Sequence, residues 1–248
     1  MKIFLKKIKS ASIKILNTTI ILCFIISIYN HSQKTPPFTL KQITVEGNSY
    51  LNQEDIKSLI NKDNKKSISQ YDIAKIKKNI EKQLFIKNAD IKIKNFNNLY
   101  IKIEERIPVA LIINENKQNF IDIENTLLPV NIKSLNTFPV PLINIKENDS
   151  IDKYEETAFS IIKYILNEYP NMYRNISEIF ITESLITIIT DNNTSIYVDP
   201  NMPIANINKL KEFEKSIKHL KNIDDHQYIN LIYEKQIVVK ERDSFNHG

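Results

Sequence analysis

Residues 89–105, ADIKIKNFNNLYIKIEE, carry two runs of strict apolar-polar alternation. Ala89, Ile91 and Ile93 alternate with Asp90, Lys92 and Lys94; Leu99, Ile101 and Ile103 alternate with Tyr100, Lys102 and Glu104. Successive strand side chains point to opposite faces, so each run predicts a strand with one buried and one wet face. Asn95-Phe96-Asn97-Asn98 between them is a turn, which makes the pair a hairpin.

Upstream the period changes. Ile56, Leu59 and Ile60 fall on one face of a short helix that Asn52 caps, with Asp55 three residues on. Ile73, Ile76, Ile80 and Leu84 recur at three and four residues in a second helix, with Ser69 as its expected cap and Asp72 at the third position. Phe38-Thr39-Leu40 and Ile43-Thr44-Val45 read as one strand broken at Lys41-Gln42 and ended by Gly47-Asn48. The chain has only two glycines. One retained at Gly47 predicts a backbone that needs positive φ, a structural turn rather than a ligand loop.

The order strand, helix, helix, strand, strand, together with Val45-Glu46-Gly47-Asn48 and the closing Glu105-Arg106-Ile107-Pro108-Val109-Ala110, resembles a POTRA domain of the FtsQ/DivIB family. The resemblance implies a short cytoplasmic tail, one membrane helix, a membrane-proximal POTRA domain and a distal β-rich domain. It also implies a scaffold of the bacterial division machinery rather than an enzyme, with the coiled-coil membrane proteins FtsB and FtsL as partners.

The N-terminus reads the same way without the family. Lys2, Lys6, Lys7, Lys9 and Lys14 precede an uncharged run, Ile15 to Tyr29, and no acid comes before residue 46. Those five lysines equal the formal net charge of +5, so the remainder sums to zero. The basicity is therefore a topology signal, tail inside, and not the footprint of a nucleic-acid binder. Fifteen helical residues cover about 22 Å of a hydrocarbon core about 30 Å thick; counting from Ala11, with Lys14 snorkelling, closes most of the gap. Ser27-Ile28-Tyr29 and Asn30-His31-Ser32 are poor cleavage sites, so the segment is expected to stay as an anchor in the lipid bilayer. The expected divisions are a tail at 1–14, the membrane helix at 15–29, a polar spacer at 30–37 ending in Pro36-Pro37, the POTRA-like domain at 38–109, a β-rich domain at 110–241 and a polar tail at 242–248.

In the distal domain, Ala110–Ile113, Phe120–Ile123 and Leu127–Pro129 read as strand pieces and Thr137–Leu142 as an extended run held open by prolines. Pro108 is the structural turn that enters it. A helix from about Asp152 to Tyr169 presents Ala158, Ile161, Ile162 and Ile165 inward, and Pro170 ends it. Strands are expected at 176–181, 185–190 and 194–198, then a helix with Ile204, Ile207, Leu210, Phe213, Ile217 and Leu220 on one face, then strands at 228–233 and 237–239. The fold class is α+β, a mixed antiparallel sheet carrying two helices. Tyr228 to Lys240 is similar to the family's closing strands, with Tyr233 at its aromatic position and Ile232 where the family has Arg. Asn125 takes the left-handed role of an absent turn glycine.

Chemistry-bearing constellations are absent. One glycine in the folded region excludes a phosphate-cradling loop. Cys23, alone and inside the apolar run, offers no disulfide or thiolate cage. His31, His219, His226 and His247 are scattered, and neighbouring residues of Asp224-Asp225-His226 cannot all face one ion, so that triplet reads as a solvated loop. Glu104 and Glu105 alternate to opposite faces as a charged strand end. No catalytic residue, cofactor, metal, nucleic acid or small-molecule substrate is expected. The expected partner-binding residues are Tyr233, Lys235, Ile237, Val238 and Val239, on an edge strand that adds a partner's strand. An envelope transport component, the other setting of POTRA domains, fits poorly, because the distal segment lacks a barrel's run of alternating strands.

Overall fold

The computed structural model describes residues 16–30, 38–60, 62–63, 66–114, 117–145 and 151–242. The basic tail, Ile15, the spacer from His31 to Pro37 and the last six residues, His247 among them, lie outside the described residues. Helix α1 occupies residues 16–30 and is exposed along its length. Among the described residues no helix is long and apolar enough to cross a membrane.

The chain divides into two compact units, Met1–Glu105 and Arg106–Gly248, against an expected boundary at 109. In the first, β1 (Gln42–Glu46), α2 (Gln53–Ser58), α3 (Ile73–Ile80), β2 (Ile86–Lys94) and β3 (Asn98–Glu105) follow the expected order. The sheet order is β1-β3-β2. β1 runs parallel to β3, which requires the helical crossover between them, and β2 is antiparallel to β3. Leu99, Ile101, Ile103, Ala89, Val45 and Leu40 meet Ile56, Ile60, Ile76 and Ile80 in one core. Each such buried side chain stabilises by roughly 1.5–3 kcal/mol.

Several local readings are corrected. The first strand begins at Gln42, not Phe38; Phe38 is left-handed and Thr39 bridges Ser67 instead. Asn52 caps α2 through the N–H of Glu54. Asp72, not Ser69, caps α3, because Ser69 lies in a preceding 3-10 turn, Ile68–Gln70. Helix α3 ends at Ile80, which leaves Leu84 exposed, and Ile93 is exposed beyond the reach of the helices. Gly47 has φ +88°, and a Cβ there would collide with the carbonyl of Ile103. Glu105 is no solvated strand end: Oε2 accepts from the N–H groups of Ser49 (3.0 Å) and Tyr50 (2.8 Å), and Oε1 from that of Leu51 (2.8 Å), which ties the turn after Gly47 to β3.

The second unit holds β4 (Pro108–Asn114), β5 (Lys117–Asp122), β6 (Leu127–Pro129), α4 (Ile132–Thr137), β7 (Leu142–Ile145), α5 (Ile151–Glu168), α6 (Pro170–Asn175), β8 (Ile176–Ile181), β9 (Ile186–Thr190), β10 (Ser195–Val198), α7 (Pro203–Ile217), β11 (His226–Asn230) and β12 (Val238–Glu241). They build one sheet in the order β12-β11-β10-β9-β8-β7-β4-β5-β6. It is mixed rather than antiparallel throughout, since β4 with β7, β7 with β8 and β10 with β11 are parallel. Four helices accompany it among the described residues, not two. Thr137 belongs to α4, and Pro170, at the first turn of α6, starts a helix as well as following one. The expected inner face of α5 is fully buried against Ile143, Ile179, Ile188 and Ile196. Leu220 lies past the end of α7 and is exposed. Asn125 has φ 65°. Arg106 is held by Asp122 (2.6 Å) and Glu124 (2.8 Å), and Asp122 also takes the N–H groups of Glu124 and Thr126 across that turn.

Candidate docking edge

The last strand turns on its own side-chain chemistry. Asn230 ends β11 by accepting the N–H of Ile232 through Oδ1 at 3.0 Å, an Asx turn that diverts the chain from the sheet. The β-branched pair Val238-Val239 brings it back as β12, in register Asn230 with Val238, Ile229 with Val239 and Tyr228 with Lys240. Among the described residues β11 is its one strand neighbour, so β12 is a sheet edge. In an antiparallel pair alternate residues turn both N–H and C=O away from the partner. The outer side of β12 therefore presents a row of main-chain groups for a further strand.

Three cations fasten this edge from within. The Lys209 ammonium on α7 donates to the carbonyls of Leu231 (2.9 Å), Tyr233, Glu234 (3.4 Å) and Gln236 (3.5 Å), gathering the loop that leads into β12. Lys221 pairs with Glu241, and its hydrogen bond holds the Glu241 carboxyl below the ordinary carboxylate range. Arg242 donates through Nε to the carbonyl of His226 (3.2 Å) and through Nη2 to Thr194 Oγ1 (3.2 Å) and the Asn192 carbonyl, while its own N–H bonds Asp225 (3.0 Å). An edge held at both ends loses little conformational entropy when a strand is added.

Residues 38–106 match the family model for the POTRA domain, FtsQ-type. These residues are similar to POTRA domains of the FtsQ type. The resemblance to the FtsQ/DivIB family, read from the strand-helix-helix-strand-strand order with its VEGN and ERIPVA segments, is borne out over these residues. Among solved structures, the major extracytoplasmic domain of the trans isomer of the bacterial cell division protein DivIB from Geobacillus stearothermophilus is 11% identical, with 48% of this chain and 99% of that one covered and a TM-score of 0.32. No curated protein matches the chain.

The expected residues fall apart into different settings. Gly47 turns the chain within the POTRA domain; Pro108 starts β4, buried, outside it. Tyr233 lies in the loop before β12, not in a strand, and is 51% exposed. Lys235 is exposed in the same loop. Ile237 packs partly on the core, so its side chain faces inward. Val238 and Val239 are in β12, Val239 exposed. Lys209, Lys221 and Arg242 were not legible as parts of this edge. For Arg242 a signal existed: Arg106, Arg174 and Arg242 are the only arginines among 34 basic residues.

The DDH triplet is also corrected. His226 is buried, with Nδ1 3.1 Å from the Asn222 carbonyl and 3.2 Å from that of Ile223, so Nδ1 carries the proton. Asp224 accepts from Asn175, Thr190 and Asn192, and Asp225 from the N–H of Asn222. They are knots of the sheet. No cluster with metal-ligating composition occurs among the described residues.

Proposed function

We propose that the chain is a bitopic, non-catalytic scaffold of the bacterial division machinery that recruits partner membrane proteins by strand addition along β12. The observation that carries this reading is the fastened, unpaired outer edge of β12 in a chain that bears an FtsQ-type POTRA domain. A partner segment lies along the edge and exchanges main-chain hydrogen bonds with it. Tyr233, Lys235 and Val239 offer side chains beside that row, while Ile237 and Val238 contribute backbone. The partners proposed are the FtsB- and FtsL-like coiled-coil proteins that the family resemblance implies.

The proposed anchor is the apolar segment behind the lysine cluster, with the tail cytoplasmic and the bulk of the chain periplasmic at the inner membrane. Its support is the uncharged helix at 16–30 and the lysines at 2, 6, 7, 9 and 14, which hold the tail on the inner side. The stretch from Ala11, which brings the apolar length closer to a bilayer's thickness, belongs to the same reading.

The test is co-purification from detergent-solubilised membranes of the native host. Tyr233→Glu, which sets a carboxylate beside the edge, is expected to lower recovery of the FtsB- and FtsL-like proteins, and Tyr233→Phe to retain it. Equal recovery with Tyr233→Glu places the docking surface elsewhere.

A further inference from the structure

Phe38 and Phe96 adopt a backbone that bulky side chains rarely take: φ is 62° at one and 60° at the other. Neither ring enters the core. Phe38 is 57% and Phe96 70% exposed, and the two rings lie against each other with centroids 5.3 Å apart. At Phe96 the left-handed backbone continues that of Asn95 (φ 52°) in the tight β2–β3 turn, as hairpin geometry favours, so what sets the pair apart is a pair of exposed aromatic rings where such turns ordinarily carry Gly, Asn or Asp.

The pair sits at one end of the POTRA sheet. There the Phe38 carbonyl accepts from Ile68 N (2.9 Å), and Lys41 N donates to the Asn97 carbonyl in the β2–β3 turn (2.9 Å). Lys41, Lys62, whose ammonium reaches the Lys41 carbonyl, and Lys94, the last residue of β2, belong to this end as well. It is also the end at which the chain enters from α1. Eight residue steps separate Asn30 from Phe38, a reach of at most about 29 Å. Two aromatic rings flanked by lysines, tethered that close to a bilayer, suit one surface: the boundary of headgroups and acyl chains in an anionic membrane, where rings sit at the interface and ammonium groups meet lipid phosphate.

We infer that Phe38 and Phe96 seat the POTRA domain on the anionic lipid surface beside its own anchor; this rests on the anchored reading above. The chain has no tryptophan, so Phe96→Trp in the full-length protein supplies a single indole, excited at the red edge where the eleven tyrosines do not absorb. The protein is reconstituted into vesicles of phosphatidylethanolamine and phosphatidylglycerol with brominated acyl chains, and flotation is scored alongside emission. Expected are a blue shift and loss of most of the emission for Phe96→Trp, both weaker in phosphatidylcholine vesicles. Leu84→Trp, exposed in the turn that leads into the opposite end of β2, keeps its emission. Phe38→Trp repeats the measurement should Phe96→Trp disturb the turn. Vesicles that carry the protein with neither Phe reporter quenched overturn the inference and leave the anchor standing. A blue shift without bromolipid quenching assigns the rings to a second copy of the chain and overturns it too. Protein that does not float defeats the anchor, and the inference with it.

Discussion

The two edges of the nine-stranded sheet end it in opposite ways. β6 is three residues long and closes on Pro129, which has no N–H to give to any strand; helix α4 starts three residues after it behind an Asn131–Ser134 capping box. β12 has no proline, keeps every donor and is fastened by Lys209, Lys221 and Arg242. Its Lys240 and Glu241 are exposed, and charges on an edge oppose indiscriminate pairing. One edge is shut by a single residue's covalent chemistry. The other is left open, but ordered and guarded, which is what selective strand addition requires.

Proline placed in turn at Val238 and Val239 tests that contrast most severely. Antiparallel geometry turns the main-chain groups of one of the two outward and those of the other toward β11. The outward substitution is expected to abolish partner recovery with little change in Tm; the inward one removes a ladder hydrogen bond and lowers Tm, at a cost of roughly 1–3 kcal/mol of stability. If neither affects recovery, β12 is not the docking edge. The mirror change, Pro129→Thr, restores a donor at β6 and is expected to increase self-association by light scattering without altering partner recovery.

A smaller effect is expected for Arg242→Ala, which strips β12 of its terminal clamp. The loss is roughly 1–2 kcal/mol, seen as faster hydrogen exchange confined to β12 and the β9–β10 turn. Arg242→Lys recovers only part, because an ammonium cannot serve the same fork of acceptors. Unchanged exchange means that the edge is ordered without its clamp.

The smallest effect concerns pH. Glu241 has a carboxyl held below the ordinary range by Lys221, so the pair's contribution is fully present above the unfolded value, about 4.3, and is lost as pH falls through the folded value. Exchange of β12 amides, corrected for the intrinsic rate, is expected to be flat from neutral pH down to about 5 and to rise below the ordinary carboxylate range. Glu241→Gln removes that acid limb. Persistence of the limb in the variant assigns it to another carboxylate.

Legibility in the sequence followed burial. The hairpin at 89–105 and the inner face of α5 were readable because alternation and the three-four repeat record which side of an element is dry. α4 and α6 were missed because six residues hold under two turns of any period. The three parallel pairings of the nine-stranded sheet left no trace either, since side chains alternate with the same period whichever way a neighbour runs. Glu105 and His226 were misjudged as solvated for a related reason: whether a polar group meets water or a buried partner is settled by chain brought from elsewhere, the amides of residues 49–51 in one case and the carbonyls before β11 in the other.

The amino-acid sequence by itself determined the element order of the POTRA domain, the demand for glycine at position 47 and the apolar character of the N-terminal run, because these depend on local sterics and on the periodicity of hydrocarbon. Only the tertiary structure decided that β12 is an edge, that Ile237 turns inward while Val239 does not, and that Lys209 and Arg242 hold the strand. Strand neighbours are long-range partners chosen by the whole sheet, and no local pattern records which strand is left without one.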